Sequence, residues 1–191
     1  MKYYLLFGPP GAGKGTHATV LAQRYNLKHI STGALLRAEI AAGTPLGKQA
    51  EALIADGRLV PDEVVEAMIE NAFDTIKDVD GFLLDGFPRT IPQAEALDSL
   101  LQRRGEKLTG VISLMIPDEE IYRRIQGRAQ VDGRADDADE EIINHRIQTY
   151  HTQTEPLILF YRNRGLYHEI KGYPGSIEDV RKRVIAVVDT I

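Results

Sequence analysis

Two hydrophobic periods take turns along this chain. Short apolar runs at Lys2–Phe7, 27–30, Gly81–Asp85, 111–116 and 166–170 read as buried strands. Between them the spacing becomes helical. Ala18, Leu21, Ala22 and Tyr25 share one face, and two short helical stretches follow at 34–40 and 46–55, closed by Gly43 and Gly57. Pro61-Asp62-Glu63 is a helix start, and Val64, Val65, Met68, Ile69, Ala72, Phe73 and Ile76 then mark one continuous apolar face. Further helices are predicted from Thr90-Ile91-Pro92-Gln93, over 118–128 with Ile121 and Ile125 inward, and over 140–164 with a break at Pro156. A last helix bears Val180, Val184, Val187 and Val188 behind the capping box Ser176-x-x-Asp179. The polar stretch 129–139 reads as a loop.

Strand and helix alternate throughout, which predicts an α/β fold with a five-stranded parallel sheet covered by helices on both faces. At 191 residues the chain has room for one domain, 1–191, with a small helical insertion at 31–60. Ligands of such sheets bind beyond the carboxyl ends of the strands. That edge collects the loop after Phe7, Ser31-Thr32, Asp85 and the loop after Ile170.

Composition narrows the function by exclusion. A net charge of −5 argues against a nucleic-acid binder that relies on bulk positive charge. The absence of cysteine excludes disulfides and thiolate metal sites. No apolar run approaches the roughly 20 residues of a membrane helix. The N-terminus begins directly on a strand pattern with no leader-like segment, so a cytoplasmic location is expected. His17, His29, His145, His151 and His168 lie far apart and read as surface or packing residues.

The chemistry concentrates in a few stretches. Gly8-Pro-Pro-Gly11-Ala12-Gly13-Lys14-Gly15-Thr16 joins a strand to a helix with P-loop spacing. Its glycines let backbone N–H groups turn toward a phosphate, the helix N-terminus adds positive potential, and Lys14 adds a full charge. Gly15 stands where Ser or Thr usually follows the lysine, and the hydroxyl comes at Thr16. Asp85 ends an apolar strand, as does the second acid of P-loop enzymes that holds Mg²⁺ directly or through water. In Gly86-Phe87-Pro88-Arg89, Gly86 permits close backbone approach and Arg89 suits a bidentate grip on phosphate. Arg124 and Arg128 share a helix face, where like charges cost about 0.2–0.5 kcal/mol. An anion between them would remove that cost, and Glu120 offers a plain ion pair instead.

Together, Gly-x-Pro-Gly-x-Gly-Lys-Gly-Thr, Ser31-Thr32-Gly33 with Arg37, and Asp85-Gly-Phe-Pro-Arg-Thr90 with Gln93 resemble the nucleoside monophosphate kinases, adenylate kinases above all. Gly-Thr after the lysine is normal in that family, whereas Ala34 replaces an aspartate common after the glycine. The resemblance runs over essentially the whole chain and implies a three-layer P-loop fold with a nucleoside-monophosphate-binding insertion (31–60) and a short lid (129–139). It implies that Gly11, Ala12, Gly13, Lys14, Gly15, Thr16, Arg128 and Gly175 bind ATP. It implies that Thr32, Arg37, Arg58, Leu59, Val60, Gly86, Phe87, Pro88, Arg89, Gln93, Arg134 and Arg146 serve AMP. Lys14, Arg89, Arg124, Arg128, Arg134 and Arg146 would be the catalytic cations and Asp85 the Mg²⁺ residue. The short lid, without cysteines, resembles the form that holds no zinc. One residue more than the usual pattern separates Arg134 from Arg146.

The implied activity is Mg²⁺-dependent interconversion of ATP plus AMP with two ADP by a cytoplasmic monomer, with no nucleic-acid or membrane partner. A UMP or CMP kinase of the same family remains open, as does a non-catalytic P-loop nucleotide-binding module. Thr32 and Gln93 favour adenine, and no guanine-reading Asn-Lys-x-Asp motif is present.

Overall fold

A computed structural model of the chain describes residues 1–56, 58–132 and 139–191. Five parallel strands, β1 (Lys2–Phe7), β2 (Leu27–Ser31), β3 (Gly81–Asp85), β4 (Gly110–Met115) and β5 (Tyr167–Lys171), form one sheet in the order β2-β3-β1-β4-β5. The alternation of side chains along β1 assigns each half of the core. Tyr3, Leu5 and Phe7 face one layer together with Phe82 and Leu84, while Tyr4 and Leu6 face the other with Leu83, Ile112 and Leu114. A parallel strand buried on both faces has to be apolar at successive positions, and this explains the near-continuous runs in the sequence.

Helices cover both faces. Helix α1 (Lys14–Arg24) packs with α6 (Asp118–Asp132), α7 (Glu140–Thr149) and α9 (Ile177–Val188) on the Leu6 side, through Leu21, Ile121, Ile125, Ile147 and Val184. On the Leu5 side lie α4 (Asp62–Thr75), α5 (Ile91–Arg103) and α8 (Pro156–Arg162), through Ile69, Phe73, Leu97, Leu157 and Tyr161. Helices α2 (Thr32–Ala41) and α3 (Pro45–Ala55) pair with each other between β2 and α4. Gly47 is what lets them cross, since a Cβ there would run into the Glu39 carbonyl. Among the described residues no helix is long and apolar enough to cross a membrane.

Three stretches differ from the sequence reading. Helix α6 continues past Arg128 to Asp132, so the expected loop 129–139 begins as helix. Residues 133–138, the remainder of that stretch before Asp139, lie outside the described residues, Arg134 among them. At its far end Asp139 caps α7 by accepting a hydrogen bond from the Glu141 N–H at 2.7 Å. The helix expected over 140–164 is interrupted earlier than Pro156. A π-turn occupies Tyr150–Thr154, with the Glu155 N–H donating to the Tyr150 carbonyl at 2.8 Å. Proline has no N–H to donate and its ring crowds the carbonyl four residues back, so the turn before Pro156 widens. Finally, α2 starts at Thr32, because the Ser31 hydroxyl accepts from the Ala34 N–H at 3.3 Å and so caps the helix.

Candidate active site

The loop from Gly8 to Gly13 leaves β1 and enters α1 with Gly8, Gly11 and Gly13 at φ of 142°, 78° and 89°. Side-chain-bearing residues rarely adopt such angles. Lys14 folds back over this loop and donates from Nζ to the Gly8 carbonyl at 2.9 Å and the Pro9 carbonyl at 3.1 Å. Burial lowers its pKa to about 8. Arg89, Arg146 and Arg128 push it in the same direction, and Asp85 opposes them. Removal from water, more than the neighbouring cations, thus disfavours the charged form of this lysine. An anion with several charges entering there would reverse that balance.

Asp85 sits at the carboxyl end of β3, in register with Leu6 on one side and Ser31 on the other. It is only 8% exposed, and His29 Nε2 stands 3.5 Å from its Oδ2. Burial pulls its pKa upward, but His29, Lys14 and Arg89 outweigh that and hold the carboxyl below its usual value. A buried, ionised hard oxygen donor fits a Mg²⁺ that keeps its waters and arrives on a polyphosphate. No cluster of three or more acidic, histidine or cysteine ligands occurs among the described residues.

Directly after Asp85, Gly86 is a junction. Its carbonyl accepts from Thr32 Oγ1 at 3.0 Å and from Arg89 Nε at 2.8 Å, and a Cβ at Gly86 would come within 2.7 Å of Thr32 Oγ1. Gln93 is 2% exposed; its Oε1 accepts from the Arg89 backbone N–H at 2.7 Å and its Nε2 donates to Asp62 Oδ1 at 2.6 Å. Arg37 lies against Gly33, and Arg58 pairs with Asp56 at 2.9 Å on the exposed rim. Lys14, Thr32, Arg37, Arg58, Leu59, Val60, Gly86, Pro88, Arg89, Gln93 and Arg146 line one cavity of about 160 Å³. Phe87 does not line this cavity; it is 1% exposed and lies within the core with residues of α4 and α5.

The arginines divide into two groups. Arg89, Arg128 and Arg146 lie close enough to Lys14 to depress its pKa. Arg124 instead donates to Glu120 Oε1 at 2.6 Å, the Ala12 carbonyl at 3.4 Å and the Gly172 carbonyl at 3.1 Å. It ties the P-loop to the turn after β5, where Gly175 precedes α9. Arg123 also grips Glu120, and its hydrogen bond, with that of Arg124, holds this carboxyl down at about 2.

Four further residues stand out that the sequence reading did not count among the site residues, the three histidines having been read as surface or packing residues. His29 reaches Asp85. His17 lies buried beneath Gly13, where burial pushes its pKa down. Thr154 on the π-turn donates to the Arg89 carbonyl at 2.9 Å. His145 Nδ1 lies 2.5 Å from the Asp56 carbonyl, linking α7 to the end of α3. His29, Thr154 and His145 carry no local sequence signal, because each contact depends on how distant elements dock, whereas His17 lies one helical turn from Gly13.

The family model described as adenylate kinase matches residues 6–166, a span that holds the P-loop, Asp85 and the whole Gly86–Gln93 junction. The chain belongs to the adenylate kinase family. It is 44% identical over 187 residues to an adenylate kinase of Bacteroides fragilis, covering 98% of each chain. It is 46% identical over 184 residues to one of Thermobifida fusca, covering 96% of each. A Porphyromonas gingivalis adenylate kinase is 44% identical over 185 residues, which cover 97% of this chain and 94% of that one. Membership of the adenylate kinase family makes the chain a nucleotide-binding phosphotransferase of the nucleoside monophosphate kinase class. Its five-stranded parallel sheet between helical layers is the expected P-loop architecture.

Proposed function

We propose that the protein transfers the γ-phosphoryl group of ATP reversibly to AMP, giving two ADP. The observation that supports this best is that the P-loop lysine lines one and the same cavity as Thr32, Arg89 and Gln93. A phosphate-binding loop and a second set of cationic and polar groups on one cavity suit a donor and an acceptor nucleotide meeting in line.

In this reading the backbone of Gly11–Thr16 with Lys14 holds the ATP phosphates, and Gly175 flanks its base. Thr32, Arg37, Arg58, Leu59, Val60, Gly86, Pro88, Arg89 and Gln93 hold AMP, while Phe87 supports them from the core. Arg89, Arg128, Arg134 and Arg146 neutralise the phosphoryl group in transfer. Arg124 contributes by bracing the P-loop carbonyl of Ala12. Mg²⁺ bound with ATP would spread the charge of the β and γ phosphates, with Asp85 facing its water shell. Segments 31–60 and 129–139 close over the substrates and exclude water, which limits ATP hydrolysis. We place the protein in the cytoplasm as a monomer.

The test is an assay of ATP and Mg²⁺ with AMP, UMP, CMP or GMP in parallel. ADP formation that depends on AMP and is weak with the others is the expected result. Preference for UMP or CMP would overturn the base assignment and leave the mechanism standing, whereas nucleotide binding without transfer to any acceptor would reject the kinase reading.

A further inference from the structure

We propose that Asp62 is a positioning residue that sets nucleobase choice by holding the Gln93 amide in one orientation. The inference rests on the AMP site described above. A glutamine amide is nearly symmetric in shape, and a half-turn of its terminal torsion exchanges a donor for an acceptor. A free glutamine therefore reads donor–acceptor order poorly. Gln93 is not free. Its Oε1 faces the Arg89 backbone N–H at 2.7 Å, and its Nε2 faces Asp62 Oδ1 at 2.6 Å. A backbone N–H can only donate, and an ionised carboxylate can only accept. Turning the amide over would set donor against donor and acceptor against acceptor at both ends, in a site where Gln93 is 2% exposed.

Each amide atom retains capacity after these two bonds. Nε2 keeps one hydrogen and Oε1 keeps one lone pair, and Gln93 lines the cavity. The base edge therefore meets a donor and an acceptor in fixed order. Adenine and cytosine carry an exocyclic amino donor beside a ring-nitrogen acceptor, whereas guanine and uracil carry a carbonyl acceptor beside a ring N–H. With the phosphate held by arginine, an oxo-base has to present the opposite order. The pinned amide rejects it.

The position of Asp62 in the fold suits this part. It is the first residue of α4, directly after Leu59, Val60 and Pro61, and α4 is anchored in the core by Val65, Ile69 and Phe73. The adjacent Glu63 provides an internal comparison. It occupies the same first helical turn and carries the same charge, but it is exposed on the surface.

The experiment measures kcat and KM with ATP, Mg²⁺ and each of AMP, CMP, GMP and UMP, with a thermal midpoint for every variant. Asp62→Asn presents either an oxygen or an NH₂ group and so permits both Gln93 orientations. It is expected to raise the KM for AMP several-fold with a smaller change in kcat, and to lower the AMP-to-GMP and AMP-to-UMP preference about 10-fold or more. Asp62→Ser retains a good helix start but loses the reach to Gln93, and is expected to do the same. Asp62→Glu, still acceptor-only, keeps the wild-type order of preference, and Glu63→Gln leaves it unchanged. Unaltered preference in folded Asp62→Asn and Asp62→Ser would overturn the inference, as would an equal shift in Glu63→Gln. A wild type that does not use AMP would instead overturn the underlying site assignment.

Discussion

Lys14 occupies a site that disfavours its own charge. Its pKa near 8 lies well below the ordinary 10.5, with burial the leading cause and three arginines adding to it. The folded protein without nucleotide therefore binds this proton less tightly than the unfolded chain does. Below pH 8 the lysine is charged in both states and its burial costs stability; as pH rises from 8 toward 10.5 the folded state sheds the proton and the cost is relieved. Lys14→Met is thus expected to abolish transfer yet raise the stability of the nucleotide-free protein at pH 7 by about 1–3 kcal/mol. Loss of the bonds to Gly8 and Pro9 will trim that gain. Thermal unfolding at pH 7 and pH 9.5 checks the claim, since the advantage has to shrink at the higher pH. Arg89 is the complementary case. Its Nε already uses the Gly86 carbonyl, which aims the guanidinium into the cavity. Arg89→Ala should leave a folded protein with kcat/KM for AMP down at least about 100-fold. Near-normal turnover would remove Arg89 from the phosphate site.

At the scale of elements, the π-turn before Pro156 does what an unbroken helix would not. It presents Thr154 toward the loop after β3, where the hydroxyl holds the Arg89 carbonyl. Thr154→Val keeps the shape and removes the donor. A loss of about 0.5–1.5 kcal/mol in urea unfolding is expected, with KM for AMP raised a few-fold and kcat little changed. The α2–α3 pair makes a second element-scale claim. Gly47 lies where a Cβ would meet the Glu39 backbone, which cannot yield as a flexible side chain would. Gly47→Ala should push the two helices apart and weaken AMP binding, read as a raised KM for AMP at an unaltered KM for ATP.

For the whole molecule, two core layers meet at the sheet, and the site lies along the edge where both end. Acid exposes how that edge is held. Glu120, gripped by Arg123 and Arg124, has its pKa lowered to about 2 from 4.5, chiefly by the hydrogen bond to Arg123. Its stabilising effect is complete above pH 4.5 and fades as the pH falls toward 2. The Asp85 pKa is shifted in the same direction, so its contribution to stability is likewise lost on acidification. Glu120→Gln should therefore flatten the acid limb of the stability profile between about pH 4.5 and 2. Arg124 would then hold the Ala12 carbonyl without its carboxylate partner, so the P-loop should also bind ATP more weakly.

The sheet, the order of its helices and the P-loop were legible in the sequence because period, glycine placement and capping residues act locally. Lys2–Phe7, Gly81–Asp85 and the Ser176 cap could be read to the residue for that reason. Lys14 could be picked out by its place in the P-loop pattern, whereas Thr32, Arg89 and Gln93 were singled out chiefly by resemblance to the family's motifs. Their partners could not be picked out in either way. His29 meets Asp85, Asp62 meets Gln93 across 31 positions, and Thr154 meets Arg89 across 65. The destination of Arg124 was equally hidden, since Glu120 lies one turn away in sequence whereas Ala12 and Gly172 arrive only when three segments dock. Local sequence determines which backbone shapes and charges are available. Packing of distant elements decides which charges face one another, and hence which proton is disfavoured and which amide is pinned.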